Sequence, residues 1–263
     1  MRYLNPVEIV VLLIVAVVAL ALAVPWMLQS RESSRVQQCQ RNLQQFASAL
    51  DAFQKANDGR WPYGTMRGSD LPPGKRLAWT VTLYTAMHPA AKHDFDRSVA
   101  WDRDPNRHPV LGGRPVHRNP LFRCPGDAHD SPADRLQWSS YVGMAGIGAD
   151  AAKLTAVTPE AGFWGYDRQT GLQQITDGTR HTLCILETSR DNGPWTAGGR
   201  STLRGFLPDD QPIFGPGRQF GGHHDGECQV MMADGSVRRL NDATDVGVFR
   251  KQCTIAGEPL PKK

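Results

Sequence analysis

Residues 9–24 read IVVLLIVAVVALALAV, sixteen consecutive apolar side chains, and after Pro25 the run continues from Trp26 to Leu28. About twenty helical residues span roughly 30 Å, the thickness of the hydrocarbon core of a bilayer. This segment is apolar on every face, whereas the surface helix of a soluble protein carries a polar stripe. We therefore predict a transmembrane helix over about residues 7–28.

A cleaved signal peptide is the alternative interpretation, because Ala21-Leu22-Ala23 fits an A-x-A cleavage site. Three features argue against it. The apolar stretch is longer than a usual signal core, its amino-terminal flank holds only Arg2, and Glu8 lies at its edge. We predict an uncleaved anchor.

The start of this helix is indicated by Asn5-Pro6-Val7-Glu8, with Asn5 as N-cap, Pro6 in the first turn and Glu8 able to reach back to the cap. Glu8 has a second candidate role. A carboxylate at the edge of the hydrocarbon is costly unless it is paired, so Glu8 is also a candidate assembly residue that meets a cation of a neighbouring subunit. The sequence leaves both roles open.

Helical periodicity continues beyond the apolar run, which predicts an amphipathic segment over residues 29–58. Asn57-Asp58-Gly59 and Trp61-Pro62 then end the helix. We predict one helical unit, residues 1–58, with a kink at Pro25. Its docking stripe consists of Val36, Cys39, Leu43, Phe46, Leu50 and Phe53, with Ala47 and Ala49 beside them.

Residues 59–263 are predicted to form a loop-rich body with an antiparallel sheet. The strongest local signal is Asp234-Gly235 between two short apolar runs, a typical hairpin turn. The predicted strands are residues 139–142, 182–187, 229–232 and 237–240. Between residues 59 and 135 we expect long connections and one helix or strand near residues 77–83.

Composition and motifs exclude several classes of function. The net charge of +4 comes from 30 basic and 26 acidic residues without a basic block, so we expect no nucleic-acid partner. The sequence lacks the common hydrolase, zinc-protease and P-loop motifs, so we expect no enzyme activity, no cofactor and no metal. Five histidines are interpreted as scattered surface residues: His88, His93, His108, His117 and His129.

The five cysteines include no C-x-x-C pair, and their odd number leaves at least one unpaired in a monomer. In an extracytoplasmic body, Cys184 with Cys228 and Cys39 with Cys124 are candidate disulfides. Buried free thiols are the alternative for all five.

His224 is followed, after nine intervening residues, by Asp234 and Gly235. Other notable stretches, in chain order, are Glu8 with Pro25, residues 29–35 leading to Cys39, Asn42-Leu43, residues 121–127, residues 140–143, residues 175–179, residues 182–187 and residues 194–197. Together these stretches resemble a bacterial prepilin-like family of unknown function, which has a pilin-type N-terminus and a C-terminal H-x9-D-G signature.

The resemblance implies an α+β, type IV pilin-like fold, with the long N-terminal helix packed on an antiparallel sheet. It also implies a single-pass protein of the cytoplasmic (inner) membrane with an extracytoplasmic body. In contrast, Arg31, Arg35 and Arg41 follow the span, so the positive-inside rule favours a cytoplasmic body. Prepilin cleavage would fall between Tyr3 and Leu4, but the family's Gly is missing there, so we predict an intact N-terminus.

We interpret the signature as structural. In an extended chain His224 would lie roughly 30 Å from Asp234, so Asp234 is expected to form the turn and His224 to fix the start of the strand by hydrogen bonds.

The first functional hypothesis is a membrane-anchored, non-catalytic structural or interaction protein that self-associates through its helix. A surface module for an extracellular ligand such as a glycan is the alternative, with Trp61, Trp79, Trp101, Trp138, Trp164 and Trp195 as exposed aromatics. A tethered hydrolase using His223, His224 and Asp225 is the least favoured hypothesis.

Overall fold

The protein is described by a computed structural model that covers residues 5–68, 70–108, 110–111, 114–115, 119–127, 136–224 and 226–257. The position between Tyr3 and Leu4, where we predict that the chain stays intact, lies outside these residues. His117, His129 and Asp225 also lie outside them.

The N-terminal segment forms one helix, α1 (Pro6–Ala56), of 51 residues that runs through Pro25. Its start is the predicted capping box: the Asn5 side chain accepts from Val7 N at 3.3 Å, and Asn5 N donates to Glu8 Oε2 at 2.8 Å. Its end is also as predicted, because Asn57 is the C-cap and Asp58 and Gly59 follow with positive φ. The capping role of Glu8 is therefore confirmed.

The two halves of α1 differ in what surrounds them. In the first half, none of the most apolar 18-residue window is buried, and length and composition make this half a candidate membrane span. The second half docks on the body through the predicted stripe, which also includes one polar residue. Its buried residues are Cys39, Asn42, Leu43, Phe46, Ala49 and Leu50.

The body contains two sheets. A small one pairs β1 (Val110–Leu111) with β2 (Arg114–Pro115). The sheet that faces α1 has five strands: β3 (Tyr141–Ile147), β4 (Leu183–Glu187), β5 (Leu203–Phe206), β6 (Glu227–Met232) and β7 (Val237–Asn241).

The spatial order of this larger sheet is β5-β3-β4-β6-β7. All neighbouring strands are antiparallel except β3 and β5, which are parallel, so the prediction of a purely antiparallel sheet was wrong for one pair. Because β6 occupies the second edge of β4, β5 pairs with the free edge of β3. β5 runs opposite to β4 and is therefore parallel to β3.

Shorter helices complete the fold. α2 (Trp79–Met87) forms at the apolar island for which the sequence predicted a helix or strand, and α3 (Val246–Gln252) was not predicted. Asp245 caps α3 by accepting from Val248 N at 2.9 Å. The 3-10 helices are Pro73–Lys75, Pro89–His93, Pro120–Phe122, Ala151–Lys153 and Leu172–Gln174.

The core consists of two clusters. The larger contains the docking residues of α1 together with Trp79, and the smaller gathers around Phe249 of α3. Cys184 belongs to the larger cluster and Cys228 to the smaller, so the fold separates this candidate disulfide pair. All five cysteines are buried free thiols.

The tryptophans correct the expectation of an aromatic binding surface. Trp61, Trp79, Trp164 and Trp195 are buried, and only Trp138 of the six is classed as exposed, at 39%. The buried indoles also serve the core as donors: Trp79 Nε1 donates to Thr202 O at 2.9 Å, and Trp164 Nε1 donates to Cys184 O at 3.0 Å. The glycan hypothesis therefore loses most of its proposed contact surface.

Candidate functional site at the helix–body junction

Four buried side chains of metal-ligating type meet where α1 contacts the body: Cys39, Cys124, Glu187 and His224. We refer to these four residues as the junction cluster. Each offers one ligand atom, and these atoms all lie within 4.8 Å of one another. The two sulfur atoms are 2.7 Å apart, and His224 Nε2 lies 3.3 Å from Cys39 Sγ and 3.2 Å from Cys124 Sγ. Four separate segments of the chain therefore converge on one point.

Asn42 positions the two cysteines relative to each other. It lies one helical turn after Cys39 on the buried stripe of α1, and its amide donates to the carbonyl oxygens of Pro120 at 3.4 Å and Arg123 at 3.2 Å. Both acceptors lie just before Cys124, Pro120 in the helix Pro120–Phe122 and Arg123 directly after it, at the start of the loop that carries Cys124. A buried polar group is stable only when it is hydrogen-bonded, so Asn42 has a structural reason to hold this loop against α1.

The loop turns sharply after Cys124, where Asp127 N donates to Cys124 O at 2.9 Å and Gly126 N donates to Cys124 Sγ at 3.4 Å. At Gly126 the chain passes very close to the segment that carries His224. A Cβ atom built on Gly126 would lie 2.6 Å from the carbonyl oxygen of His223. Only glycine allows this approach, which brings Cys124 to His224.

Glu187 enters the cluster from the end of β4 and has no solvent exposure. One carboxylate oxygen, Oε2, accepts from Gln229 N at 2.8 Å. The other, Oε1, has no hydrogen-bond partner among the described residues and lies 3.6 Å from His224 Nε2. The junction cluster therefore contains a buried carboxylate oxygen that faces a cationic group without a hydrogen bond.

His224 reaches the cluster from the segment before β6. Its side chain is 1% exposed, and Nδ1 donates to Glu32 Oε1 at 2.6 Å. Glu32 lies on α1 and is 37% exposed. This contact directs the other ring nitrogen, Nε2, to the two cysteines and Glu187.

The electrostatics of the cluster favour the protonated forms of His224 and Cys39. Desolvation favours the neutral imidazole of His224, but the hydrogen bond to Cys39 and the nearby charge of Glu187 outweigh it and raise the pKa of His224 to about 11. The hydrogen bond to Cys124 and burial raise the pKa of the Cys39 thiol well above its usual range. Burial also raises the pKa of the adjacent Tyr141.

The signature residues do not come together. His224 precedes β6, whereas Asp234 follows it in the turn to β7, so the two lie at opposite ends of one strand. Asp234 accepts from Ser236 N at 2.9 Å and from Ser236 Oγ at 2.6 Å, and Gly235 has a φ of +81°, which is the geometry expected for a turn pair. The turn role of Asp234 and Gly235 agrees with the sequence interpretation.

Of the residues in the hydrolase hypothesis, His224 belongs to the junction cluster and His223 does not. His223 Nε2 donates to Thr188 O at 2.7 Å, which anchors its own loop, and Asp225 lies outside the described residues. The candidate assembly residue Glu8 remains at the start of α1, in the capping box. Within the described part of the chain, His224 and Asp234 therefore do not form a pair, and Glu8 does not belong to the junction cluster.

Sequence reasoning missed the junction cluster and expected no metal. Cys39 and Cys124 are 85 residues apart, and Cys124 and His224 are 100 residues apart, so the short ligand spacings that identify zinc sites are absent. A signal was nevertheless present: all four residues belong to stretches that carry the resemblance to the prepilin-like family. The candidate disulfide of Cys39 with Cys124 is not formed in the structure, where both are free thiols, although their sulfur atoms are neighbours at 2.7 Å.

Fold and site together define an α+β protein in which a long, partly apolar N-terminal helix docks on a mixed sheet and meets it at a buried cysteine, histidine and glutamate cluster. Within this class, the chain belongs to the family described as "Protein of unknown function (DUF1559)", which it matches over residues 29–210. Cys39, Cys124 and Glu187 lie inside the matched residues, whereas Glu8, His224 and Asp234 lie outside them. Comparisons with curated proteins and with solved structures find no match.

Proposed function

We propose that this protein is a single-pass, pilin-like structural or interaction protein of the cytoplasmic membrane that acts without catalysis. The apolar half of α1 anchors it, and the body presents a surface on the extracytoplasmic side. Function depends on position and packing: the helix holds the body at a defined place next to the bilayer.

The observation that carries this proposal is the continuity of α1. One helix carries an exposed apolar run in its first half and is buried along one face of its second half, where it packs on the body. Because the helix is continuous, its apolar half is connected to the body without a flexible linker. In water the exposed run from Val7 to Leu28 would be an unusually large apolar surface, whereas in lipid it needs no protein partner.

Membrane insertion is tested by charge placement within α1. Leu13→Arg combined with Val17→Arg places two charges in the apolar half, each costing about 2.5–3.5 kcal/mol at the centre of a membrane helix. The matched control, Gln44→Arg with Ser48→Arg, uses the same spacing on exposed positions of the docked half. We expect alkaline carbonate to release the first variant from membranes and to leave the control and the wild type bound. Release of the wild type would refute anchoring.

The side of the membrane is a separate question, because the resemblance favours an extracytoplasmic body and the arginines after the span favour the opposite. Protease treatment of intact cells, with detergent-lysed cells as the reference, decides it. Digestion of residues 59–263 before lysis supports the proposal. Protection until lysis would contradict it and would make the charge count the better guide.

Self-association is proposed to use Glu8, whose capping role is already accounted for. Glu8→Gln keeps a side chain that can cap the helix but removes the charge, whereas Glu8→Ala removes both. If the charge pairs with a neighbouring subunit, both substitutions reduce cross-linked multimers in membranes. If only Glu8→Ala does so, the effect comes from the cap, and unchanged multimers in both remove Glu8 from assembly.

A further inference from the structure

The junction cluster has the ligand composition of a closed metal centre. Two thiols, one imidazole and one carboxylate match the donors that Zn²⁺ and related thiolate-binding divalent cations select. From metal–ligand lengths of about 2.0–2.3 Å, the corners of a tetrahedral site lie about 3.3–3.8 Å apart. The distances from His224 Nε2 to Cys39 Sγ, Cys124 Sγ and Glu187 Oε1 are 3.3, 3.2 and 3.6 Å, so three edges already approach this geometry.

The surroundings of His224 are those of a metal-ligating histidine. Such a residue donates its second ring N–H to a carboxylate, which fixes the tautomer and aims the other nitrogen at the metal. His224 Nδ1 makes this contact with Glu32 Oε1 at 2.6 Å, and Nε2 faces the other members of the cluster. A histidine that served only as a hydrogen-bond donor would not require three further ligand atoms around its second nitrogen.

Glu187 supplies an independent observation. Its side chain is completely buried, and within the described part of the chain its Oε1 atom has no hydrogen bond although it points into the cluster. A buried charge is costly unless it is paired, hydrogen-bonded or coordinated to a metal. Glu187 already accepts from Gln229 N through Oε2, but Oε1 has only the 3.6 Å contact with His224 Nε2. A cation among the four residues would give Oε1 a direct ligand bond and would leave the hydrogen bond to Oε2 in place.

We propose that Cys39, Cys124, Glu187 and His224 bind one divalent cation of the zinc class. The cation displaces the thiol protons and the Nε2 proton to solvent, and the two sulfurs, now 2.7 Å apart, separate by about 1 Å to reach tetrahedral spacing. Four protein ligands leave no open position, so the centre is structural and not catalytic. It ties α1 to the loop before β3, to the end of β4 and to the start of β6, on whichever side of the membrane the body lies.

The first test measures metal in the full chain, purified in detergent without chelators. Elemental analysis should find about one zinc-class ion per chain, and Cys39→Ser or Cys124→Ser should lose it. Cys184→Ala is the matched control, because Cys184 is equally buried but outside the cluster, and it should retain the ion. Cobalt substitution of the wild type should give thiolate-to-cobalt charge-transfer absorption.

The second test avoids core substitutions, which could prevent folding. Glu32→Ala removes the partner of His224 from a partly exposed position, and Asp51→Ala removes an exposed carboxylate from the same helix. Loss of such a supporting partner typically lowers metal affinity 10–100-fold, so we expect that drop for Glu32→Ala and none for Asp51→Ala. Equal affinities in both variants would overturn the coordination geometry.

A disulfide between Cys39 and Cys124 is the competing state, since an oxidising compartment favours it. Non-reducing peptide mapping of the wild type distinguishes the two. Free thiols that become reactive only after chelation support the metal centre. A linked Cys39–Cys124 peptide pair in metal-free protein, or wild-type metal content no higher than that of Cys39→Ser, would refute the proposal.

Discussion

Removing the ring of Phe46 tests the docking of α1, on which the proposed function depends. Phe46 is fully buried, and its ring centroid lies 5.4 Å from that of Phe122, 5.3 Å from that of Tyr141 and 6.0 Å from that of Trp79. These rings belong to the loop before β3, to β3 and to α2, so Phe46 joins the helix to three parts of the body. Truncating a buried Phe to Ala costs about 3–5 kcal/mol of unfolding free energy. For a domain of about 200 residues, each kcal/mol lowers Tm by about 2–4 °C, so Phe46→Ala should lower Tm by about 6–20 °C.

The assay is thermal unfolding in detergent, followed by the near-ultraviolet circular dichroism of the buried tryptophans. Leu20→Ala is the matched control, because Leu20 lies on the same helix but is 62% exposed in the apolar half. It should leave the Tm of the body unchanged within about 2 °C, because surface substitutions usually stay within about 0.5 kcal/mol. Equal Tm values for the two variants would refute the claim that the second half of α1 is part of the core.

Three further substitutions test the junction and the hairpin. Gly126→Ala should destabilise the body by about 1–3 kcal/mol in urea unfolding, because the added Cβ would lie 2.6 Å from His223 O. The control Gly74→Ala, whose Cβ would have nothing within 4 Å, should be close to neutral. Equal effects of the two substitutions would contradict the close approach at Gly126. Asn42→Leu keeps a side chain of similar size but leaves buried carbonyl oxygens without their donor. The free energy of unfolding should therefore fall by about 1–3 kcal/mol. An unchanged urea midpoint would refute the role of Asn42. For Asp234, desolvation favours the neutral acid, but hydrogen bonds from the turn and nearby arginines outweigh it and hold its pKa below the ordinary value. Its charge therefore adds stability above the unfolded pKa of about 3.9 that is lost as pH falls through the folded pKa. Asp234→Asn should be less stable than wild type at pH 7, and the gap in urea midpoint should narrow at pH 3; a constant gap would argue against this linkage.

Local signals in the sequence predicted the elements that local physics determines. The apolar run, the capping box and the docking stripe lie within one helix, where each residue constrains neighbours three and four positions away. Asp234-Gly235 predicted the β6–β7 hairpin because a tight turn needs a residue that accepts positive φ, and Gly235 supplies it at +81°. The predicted strands overlap β3, β4, β6 and β7, although the first of them includes only Tyr141 and Val142 of β3.

Other elements could not be found in this way. β5 is four residues long and contains Arg204 and Gly205, so it has no alternating pattern, and its parallel pairing with β3 depends on which sheet edge remained free. α3 has only seven residues, and its burial against the smaller core cluster supports it more than its own periodicity does. The six tryptophans looked suitable for a binding surface because composition does not distinguish a loop aromatic that faces solvent from one that fills a core.

The sequence by itself determined the long N-terminal helix. Its apolar half is long enough for a bilayer, and it continues without a break into an amphipathic half that needs a packing partner. Only tertiary structure decided what that partner is and what lies at the contact. The residues of the junction cluster come from segments too far apart in the chain for any local pattern to relate them. They meet because α1, the loop that contains Gly126 and the ends of two strands pack against one another. Helix periodicity acts over one or two turns of chain, whereas a ligand cluster depends on the whole fold being in place.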